Sequence, residues 1–455
     1  MKKISAIVLI LFIAANSSGL AQTLSGSLDV GGRKLELIFL LTPEGGTIDV
    51  PAQLSYGMKL TSAVFERDSL FITLDAMKVT FTGKVFGSID SVNGLYTQSG
   101  RSMPLTLFPK PDYQTVKRTQ IIEPPFPYYS VDTVFNNTSA GVTLAGTVTA
   151  PDDKGKYPAV ILVTGSGPQN RDEELAGHKP FLVIADWLAR NGIVTLRYDD
   201  RGFAKSTGNF RAATTLDFAG DASAAIDFLR TLPFVDTSKV GLIGHSEGGL
   251  IAPIVADMNK GTRFIIPLAG PGVNGKEIIL KQSYLLAEAE GEDTTDLALL
   301  IELTKTCIDA VLANPAMAAK QIDSAYKAFF TQFTPEERDS LMKKEQFDKR
   351  GLFSFTTPWF IQFLTLEPVP YYEKITVPVL GLWGSKDLQV PPTQSIPPVK
   401  AALEKAGVRH ELEVLDSMNH LFQRVKTGAI SEYGTTETTI EREVLERIVK
   451  FIKSL

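Results

Sequence analysis

The residues with the clearest chemical potential are Gly-His-Ser-Glu-Gly at positions 244–248, where one serine has a glycine two residues away on each side. A serine hydroxyl becomes a nucleophile when a sharp strand-to-helix turn exposes it, and glycines allow the chain to make that turn. An apolar segment at 240–243 precedes Ser246, and a helical segment of small and apolar residues follows at 249–257. This context indicates a nucleophile, against the alternative of an incidental serine in a glycine-rich turn.

A serine nucleophile needs a base, and the sequence offers four histidines for that role. His245 lies within the turn itself and is expected to point away from the face that Ser246 presents. His410 begins a predicted strand, which favours a structural role, and His178 lies in a loop after an earlier strand. His420 follows the last predicted strand, at the sheet edge that also carries Ser246. We therefore predict His420 as the base.

The base in turn needs a carboxylate to hold its tautomer. Asp387 follows the apolar strand segment VPVLGLWG, so it lies at the same sheet edge one strand before His420. Asp416 is the second candidate, and it is less favoured because it shares its loop with the histidine. The chain order Ser246, Asp387, His420 is the order in which a triad occurs on an open α/β sheet.

Acyl chemistry also needs two backbone amides to hold an oxyanion. The amide of Glu247 is the first candidate, because it directly follows the serine at a helix N-terminus. The second amide is expected from the small-residue loop TGSGPQNRD, at Ser166 or Gly167. The alternative for that loop is a plain turn.

The elements that must position these residues alternate between apolar strands and amphipathic helices from about residue 131 to residue 455. This alternation predicts an α/β fold with a mostly parallel sheet flanked by helices. From about 274 to 370 the pattern is helical only, which predicts a cap inserted between two strands. Trp359, Phe360 and Phe363 of this cap are candidates for an acyl pocket, and packing within the cap is the alternative.

A different pattern occupies residues 22–110, where short alternating segments predict a small antiparallel sheet or open barrel. Gly31-Gly32 and Asn93-Gly94 are the predicted tight turns of its hairpins. A proline-rich stretch at 111–130 is the predicted linker. We expect this β domain to shield the catalytic domain, and binding of a polymer or partner is the alternative.

Residues 1–21 have the composition of a signal peptide, with Lys2 and Lys3 before a short apolar run and small residues up to Ala21. Cleavage after Ala21 and export to the periplasm or the exterior are expected. An uncleaved anchor is the alternative, and no later stretch is predicted to span a membrane.

The composition excludes several classes of protein. The 455 residues carry a net charge of −5, which offers no basic surface for nucleic acid. Cys307 is the single cysteine of the sequence, so an internal disulfide is impossible. The spacing of histidines and cysteine indicates no metal site, and the predicted chemistry requires no metal or organic cofactor.

Taken together, five motifs in this order resemble the α/β-hydrolase superfamily over residues 128–455: TGSGPQNRDEE, RYDDRGFAKSTG, GHSEGG, GSKDLQVPP and NHLFQ. The chain is most similar to exported bacterial esterases and to serine-aminopeptidase-like or prolyl-oligopeptidase-like hydrolases. The segment GLYTQSGRSMPLTL resembles an extra β domain that precedes such hydrolases. The resemblance implies the same triad. The sequence departs from the pattern at Thr164-Gly165, where many lipases have His-Gly. Asp199-Asp200-Arg201 match a loop motif for which we expect a structural ion-pair role.

These features predict a carboxylesterase that cleaves small or medium acyl esters through an acyl-enzyme intermediate. A peptidase with the same triad is the first alternative, and it requires an acidic group for the substrate ammonium. Glu173 and Glu174 are candidates for that group, although solvated loop charges are the simpler interpretation. A non-enzymatic binding protein on the same scaffold is the second alternative. The expected partner is a small-molecule ester or a short peptide, and the oligomeric state stays open.

Overall fold

The computed structural model describes residues 22–30, 33–43, 45–291, 293–344 and 347–455. The chain divides into two compact units, Met1–Thr115 and Val116–Leu455, which are described separately below. The predicted signal peptide at 1–21 lies outside the described residues. The predicted linker at 111–130 contains the boundary between the two units.

The described part of the first unit is a nine-stranded antiparallel sheet in the order β4-β3-β2-β1-β9-β8-β7-β6-β5. Its core contains Leu24, Phe39, Phe81 and Leu107. In β7 and β9, buried residues such as Phe81 and Leu107 alternate with more exposed ones. The predicted antiparallel domain is therefore confirmed. The strands are β1 Gln22–Val30, β2 Arg33–Thr42, β3 Gly45–Val50, β4 Ser55–Lys59, β5 Ser62–Glu66, β6 Ser69–Leu74, β7 Val79–Phe86, β8 Ser91–Gln98 and β9 Arg101–Pro109.

The two predicted glycine turns of this unit have different outcomes. Val30 pairs with Arg33 across a two-residue connection, so a hairpin joins β1 and β2, although the turn residues 31 and 32 lie outside the described residues. The prediction of a turn at Asn93-Gly94 is wrong, because both residues lie inside β8. Gly94 instead faces Gly83 of β7, and a Cβ on Gly94 would lie 2.2 Å from the carbonyl oxygen of Thr82. Because Gly94 has no side chain, it allows β7 and β8 to approach closely at this pair.

The second unit is built on an eight-stranded sheet, within the described residues, in the order β10-β11-β13-β12-β14-β15-β16-β17. The first three strands in this order pair antiparallel, and all later neighbours pair parallel from β13 onward. This mostly parallel sheet confirms the predicted fold class. The strands are β10 Tyr129–Asn137, β11 Val142–Ala150, β12 Tyr157–Val163, β13 Val194–Tyr198, β14 Val235–His245, β15 Ile265–Leu268, β16 Val379–Gly384 and β17 His410–Leu415.

Helices cover both faces of this sheet, and their apolar sides form two buried clusters against it. The described helices that flank the sheet are α1 Pro180–Arg190, α2 Thr215–Thr231, α3 Glu247–Met258, α11 Pro392–Ala406 and α12 Arg442–Lys453. In α12, Val444, Ile448 and Ile452 are buried while Lys450 and Lys453 face away, which is the expected apolar stripe.

A helical cap lies between β15 and β16. Its described helices are α4 Gly275–Ala289, α5 Thr294–Ala313, α6 Ala318–Phe330, α7 Pro335–Met342, α8 Lys349–Leu352, α9 Pro358–Thr365 and α10 Val369–Tyr372. The cap has its own core around Cys307, Ile322 and Phe347. Thr334 and Glu337 cap the start of α7 reciprocally, as the sequence TPEE predicts. Among the described helices, none combines the length and the apolarity that crossing a membrane requires.

The residues just after the unit boundary are hydrogen-bonded to the rest of the second unit. The Arg118 guanidinium donates to the carbonyls of Ala176 and Gly434 at 2.8 Å each, and also to the carbonyl of Thr436. The Gln120 side chain accepts from the amides of Thr439 and Ile440. This part of the predicted linker is therefore a structural segment of the second unit.

Candidate active site

Ser246 lies at the turn between β14 and α3, with φ +55° and ψ −115°. This conformation is strained for a residue with a side chain. The flanking glycines make it possible, because a Cβ on Gly244 would lie 2.0 Å from the Gly248 oxygen, and one on Gly248 would lie 2.1 Å from the Val163 oxygen. Ser246 is half-buried, and it lines a cavity.

Asp387 and His420 are hydrogen-bonded to each other. The His420 Nδ1 and the Asp387 Oδ2 are 2.8 Å apart, and both side chains are buried. The other carboxylate oxygen, Oδ1, accepts from the amides of Gln389 at 2.9 Å and Val390 at 2.8 Å. Because Nδ1 contacts the carboxylate, Nε2 is the nitrogen of His420 that is left for proton transfer. Asp416, the second candidate acid, is exposed and bonds to Ser385 and Ser417 instead.

Ser246 and His420 line one cavity of about 280 Å³. The three predicted pocket residues of the cap, Trp359, Phe360 and Phe363, line the same cavity. Trp359 stacks on Phe363 with ring centroids 5.1 Å apart and an angle of 10° between the rings. The remaining lining residues are Gly165, Ser166, Gln169, Glu173, Leu175, His245, Glu247, Pro271, Ile278, Ile279, Gln282, Gln389, Val390 and Leu421. The structure thus brings the predicted nucleophile, base and aromatic wall together.

Glu247 has a buried carboxylate as well as the predicted amide. Its Oε1 accepts from the Trp359 indole nitrogen and from the Thr215 hydroxyl, both at 2.7 Å. Burial raises the pKa of Glu247, although hydrogen bonds from Trp359, Thr215 and Ser166 oppose that rise. The carboxylate therefore fixes the indole of α9 against the turn that carries Ser246.

The oxyanion candidates differ in what surrounds them. Glu247 begins α3, so its amide is in the first turn, where amides lack a carbonyl of their own helix. The Gly165 amide already donates to the Glu173 Oε1 at 2.7 Å. Ser166 lines the cavity of Ser246, whereas Gly167 lines a separate void of about 10 Å³ behind the turn. This placement favours Ser166 over Gly167 as the second donor.

Asp200 holds the loop that carries Ser166. Asp200 accepts from the Thr164 hydroxyl and from the Gln169 amide, both at 2.8 Å. Burial raises the pKa of Asp200 to about 8, with further contributions from nearby Glu247 and Glu173. The carboxylate is thus bonded to both ends of the loop segment 164–169.

The neighbours of Asp200 form the expected ion pairs. Asp199 accepts from the amide and the guanidinium of Arg171. Burial alone would raise the pKa of Asp199, but the hydrogen bonds from Arg171 outweigh burial and lower it. Arg201 forms a bidentate pair with Asp221, at 2.6 and 2.7 Å. The Arg171–Asp199 contacts hold the loop after β13 against the loop after β12, and the Arg201–Asp221 pair holds it against α2.

His245 and Glu173 are the residues whose surroundings differ most from expectation. His245 was expected to point away from the site, but it lines the cavity, and its ring centroid lies 4.7 Å from that of His420. Glu173 is not a solvated loop charge, because only 2% of it is exposed and it contacts His245 at 2.9 Å. Glu173 is buried although its neighbours in the sequence, from Arg171 to Glu174, are all charged. Glu174 is exposed and lies near Lys179.

The other two histidines lie in structural surroundings. His178 is buried, with Nδ1 2.9 Å from the Thr439 hydroxyl and Nε2 2.9 Å from the Tyr433 carbonyl. Burial and the nearby Arg118 guanidinium lower the pKa of His178 to about 4. His410 begins β17 and bonds the carbonyl of Val408.

The sequence reasoning missed Asn419, which shapes the loop of the base. Its Oδ1 accepts from the amides of Leu421 at 3.0 Å and Gln423 at 2.9 Å, and its Nδ2 donates to the Gln423 side chain. An asparagine side chain that bonds to the backbone two residues later stabilises a turn. The asparagine directly before His420 could therefore have predicted a structured turn at the base.

The strand order, the turn at Ser246 and the helical cap are those of an α/β-hydrolase. The family described as serine aminopeptidase, S33 (Hydrolase_4) matches residues 179–424, which is more than half of the chain, and the chain belongs to this family. The matched region begins at Lys179, just before α1, and includes Ser246, Asp387 and His420.

Similarity to individual proteins is more distant. Esterase EstD of Thermotoga maritima is 26% identical over 316 residues, which cover 68% of this chain and 65% of EstD. Polyketide transferase claH of Penicillium crustosum is 32% identical over 117 residues, covering 24% of this chain and 38% of claH. The chain thus spans less than two thirds of the length of these curated relatives. The solved structure of the Pyrococcus furiosus esterase Pf2001 has 18% identity and a TM-score of 0.42, covering 76% of this chain and 99% of Pf2001.

Proposed function

We propose that this protein is a serine carboxylesterase acting on esters of small or medium acyl groups. The observation that carries the proposal is the hydrogen bond between Asp387 and His420 at the cavity that also contains Ser246. The similarity to an esterase, EstD, supports the same class of reaction.

In the proposed reaction, His420 Nε2 takes the proton of the Ser246 hydroxyl while the oxygen attacks the ester carbonyl carbon. The amides of Glu247 and Ser166 stabilise the resulting oxyanion. His420 then returns the proton to the leaving alcohol, and the acyl group stays on Ser246. A water molecule, deprotonated by His420, attacks the acyl carbonyl carbon, and His420 passes this proton to the Ser246 oxygen as the acid is released. Asp387 orients the imidazole and stabilises its charged form throughout.

The cavity argues for modest acyl size. Its volume of about 280 Å³ is slightly below the range of roughly 300–1,000 Å³ that holds drug-sized ligands. Apolar side chains from the cap and from the loops form a large part of its wall, among them Trp359, Phe363 and Ile279. Such a wall favours an alkyl or aryl acyl group over a charged one, because a buried charge without a partner is costly.

A peptidase that binds a substrate ammonium is the second candidate, because two carboxylates line the cavity. Each is already engaged, since Glu173 accepts from Gly165 and lies against His245, while Glu247 accepts from Thr215 and Trp359. These bonds leave the carboxylates poorly placed for an ammonium and favour the ester substrate.

The test compares p-nitrophenyl esters of increasing chain length with aminoacyl p-nitroanilides, using the full chain and Ser246→Ala. We expect ester hydrolysis that falls by about 10³-fold or more in the variant, as loss of a triad member does elsewhere. Faster cleavage of the anilides would favour the peptidase. Failure of a fluorophosphonate to label Ser246 in the folded wild type would refute both and leave a binding protein.

A further inference from the structure

A buried carboxylate and imidazole, Glu173 and His245, join three parts of the site. Glu173 Oε1 lies 2.9 Å from His245 Nδ1 and accepts from the Gly165 amide at 2.7 Å. His245 Nε2 lies 2.9 Å from the backbone carbonyl oxygen of His420. The chain of contacts therefore runs from the loop of Ser166, through the turn of Ser246, to the loop of the base.

The partners of His245 restrict its protonation state. A neutral imidazole has one nitrogen that donates and one that accepts. A backbone carbonyl only accepts hydrogen bonds, and an ionised carboxylate also only accepts them. Opposite an ionised Glu173 and the His420 carbonyl, both ring nitrogens of His245 must therefore carry hydrogen. His178 shows the contrast, because its Nδ1 faces the Thr439 hydroxyl, which can donate.

The charges around His245 favour the same state. Burial alone would lower the pKa of His245, but the Glu173 carboxylate, the His420 carbonyl and the Asp387 carboxylate together raise it. A further titratable neighbour is the His420 ring, 4.7 Å away between ring centroids. His245 and Glu173 also line a small void whose other lining residues include Phe181, Leu268 and Phe422.

We propose that His245 is a positioning residue, held as an imidazolium between Glu173 and the His420 carbonyl. It fixes the loop of Ser166, the turn of Ser246 and the loop of His420 relative to one another. The proposal rests on the proposed function only for its effect on the reaction. In that reaction, a fixed His245 holds the loop of Ser166 and the loop of His420 in the positions that proton transfer requires.

The charge of His245 is measurable without any substrate. The full chain labelled with ¹⁵N-histidine gives signals from four histidines only, and the spectrum of His245→Asn assigns the one that disappears. At neutral pH we expect both ring nitrogens of His245 to have the chemical shifts of an imidazolium. His178, neutral at this pH, is the internal reference. A neutral, single-tautomer pattern for His245, with the proton on Glu173 instead, would overturn the proposal.

The effect on the reaction is measured with Glu173→Gln and with its exposed neighbour Glu174→Gln as the matched control. Without its carboxylate partner, His245 loses its charge and its link to the loop of Ser166. Its ring nitrogens should then have the chemical shifts of a neutral imidazole, and kcat for p-nitrophenyl esters should fall by about 10-fold or more with little change in KM. Glu174→Gln leaves both the chemical shifts and kcat unchanged. An unchanged kcat in folded Glu173→Gln refutes the positioning role. If the wild type hydrolyses no ester, the proposed function fails while the nuclear magnetic resonance result still decides the charge.

Discussion

Asp200→Asn is the change whose effect on stability follows most directly from the structure. Asp200 is 8% exposed and accepts from Thr164 and Gln169. Burial raises its pKa from 3.8 to about 8 in the folded protein, while in the unfolded chain it titrates near the ordinary value. An asparagine keeps the shape of the side chain but removes the titration.

The sign of the effect follows from proton binding. Between about pH 4 and pH 8, folded Asp200 holds a proton that the unfolded chain has lost. The stability contributed by this carboxyl is fully present below its unfolded pKa and is lost as pH rises through the folded value. The free energy of unfolding of the wild type, relative to Asp200→Asn, should therefore fall by about 1.4 kcal/mol per pH unit across this window.

The assay is denaturant unfolding followed by tryptophan fluorescence at several pH values between about 5 and 7, inside the window that the two pKa values define. Trp187, Trp359 and Trp383 are the only tryptophans of the sequence, and all belong to the second unit, so the signal reports the unit that contains Asp200. Asp199→Asn is the control, because the lowered pKa of Asp199 places its titration below this window. Stability curves of the wild type and Asp200→Asn that run parallel with pH would refute the reasoning.

Three further changes have defined outcomes. Asp387→Asn removes the carboxylate that holds His420, and we expect kcat for p-nitrophenyl esters to fall by about 10³–10⁴-fold with little change in KM. Trp359→Phe removes one donor to the buried Glu247 carboxylate, and we expect the free energy of unfolding to fall by about 1–3 kcal/mol and KM to rise for the longer acyl esters. Arg118→Gln leaves loop carbonyls without their donor, and we expect a loss of about 1–3 kcal/mol in the stability of the second unit, measured by tryptophan fluorescence.

Two of these changes have a neighbouring residue that serves as control. Asp416→Asn alters an exposed carboxylate on the loop of the base and should leave kcat unchanged. Lys117→Gln alters an exposed cation beside Arg118 and should leave the unfolding curve in place. Equal losses in control and test variants would show that loop disturbance, rather than the named contacts, determines the result. For Trp359→Phe, an unchanged unfolding curve would contradict a stabilising role of the indole nitrogen.

The sequence was informative wherever one local signal determined the structure. The strand pattern located Ser246, Asp387 and His420 at the ends of parallel strands, and parallel strands bring such ends to one edge. The structure accordingly places Asp387 and His420 in contact. The inserted helices were recognisable because strand periodicity stopped at about 274 and resumed after 370.

The sequence was uninformative where a contact joins distant segments. Glu173 and His245 are 72 residues apart, and the charged stretch Arg171–Glu174 gives no sign that one of its members is buried. The dipeptide Asn93-Gly94 carried a strong turn signal, yet the pairing of β7 with β8 placed it inside a strand. In both cases tertiary packing overrode the local preference.

The cap is one continuous insertion in the chain, separate from the segments that carry Ser246, Asp387 and His420. The cap leaves the sheet after β15 and returns at β16, and these strands are neighbours that pair Leu268 with Leu382. The residues proposed for bond cleavage lie on either side of this insertion, while the aromatic wall lies within it. Long insertions between adjacent anchor points add little entropic cost. Substitutions, insertions or exchange of the cap can therefore alter the lining of the cavity while the bond between Asp387 and His420 is kept.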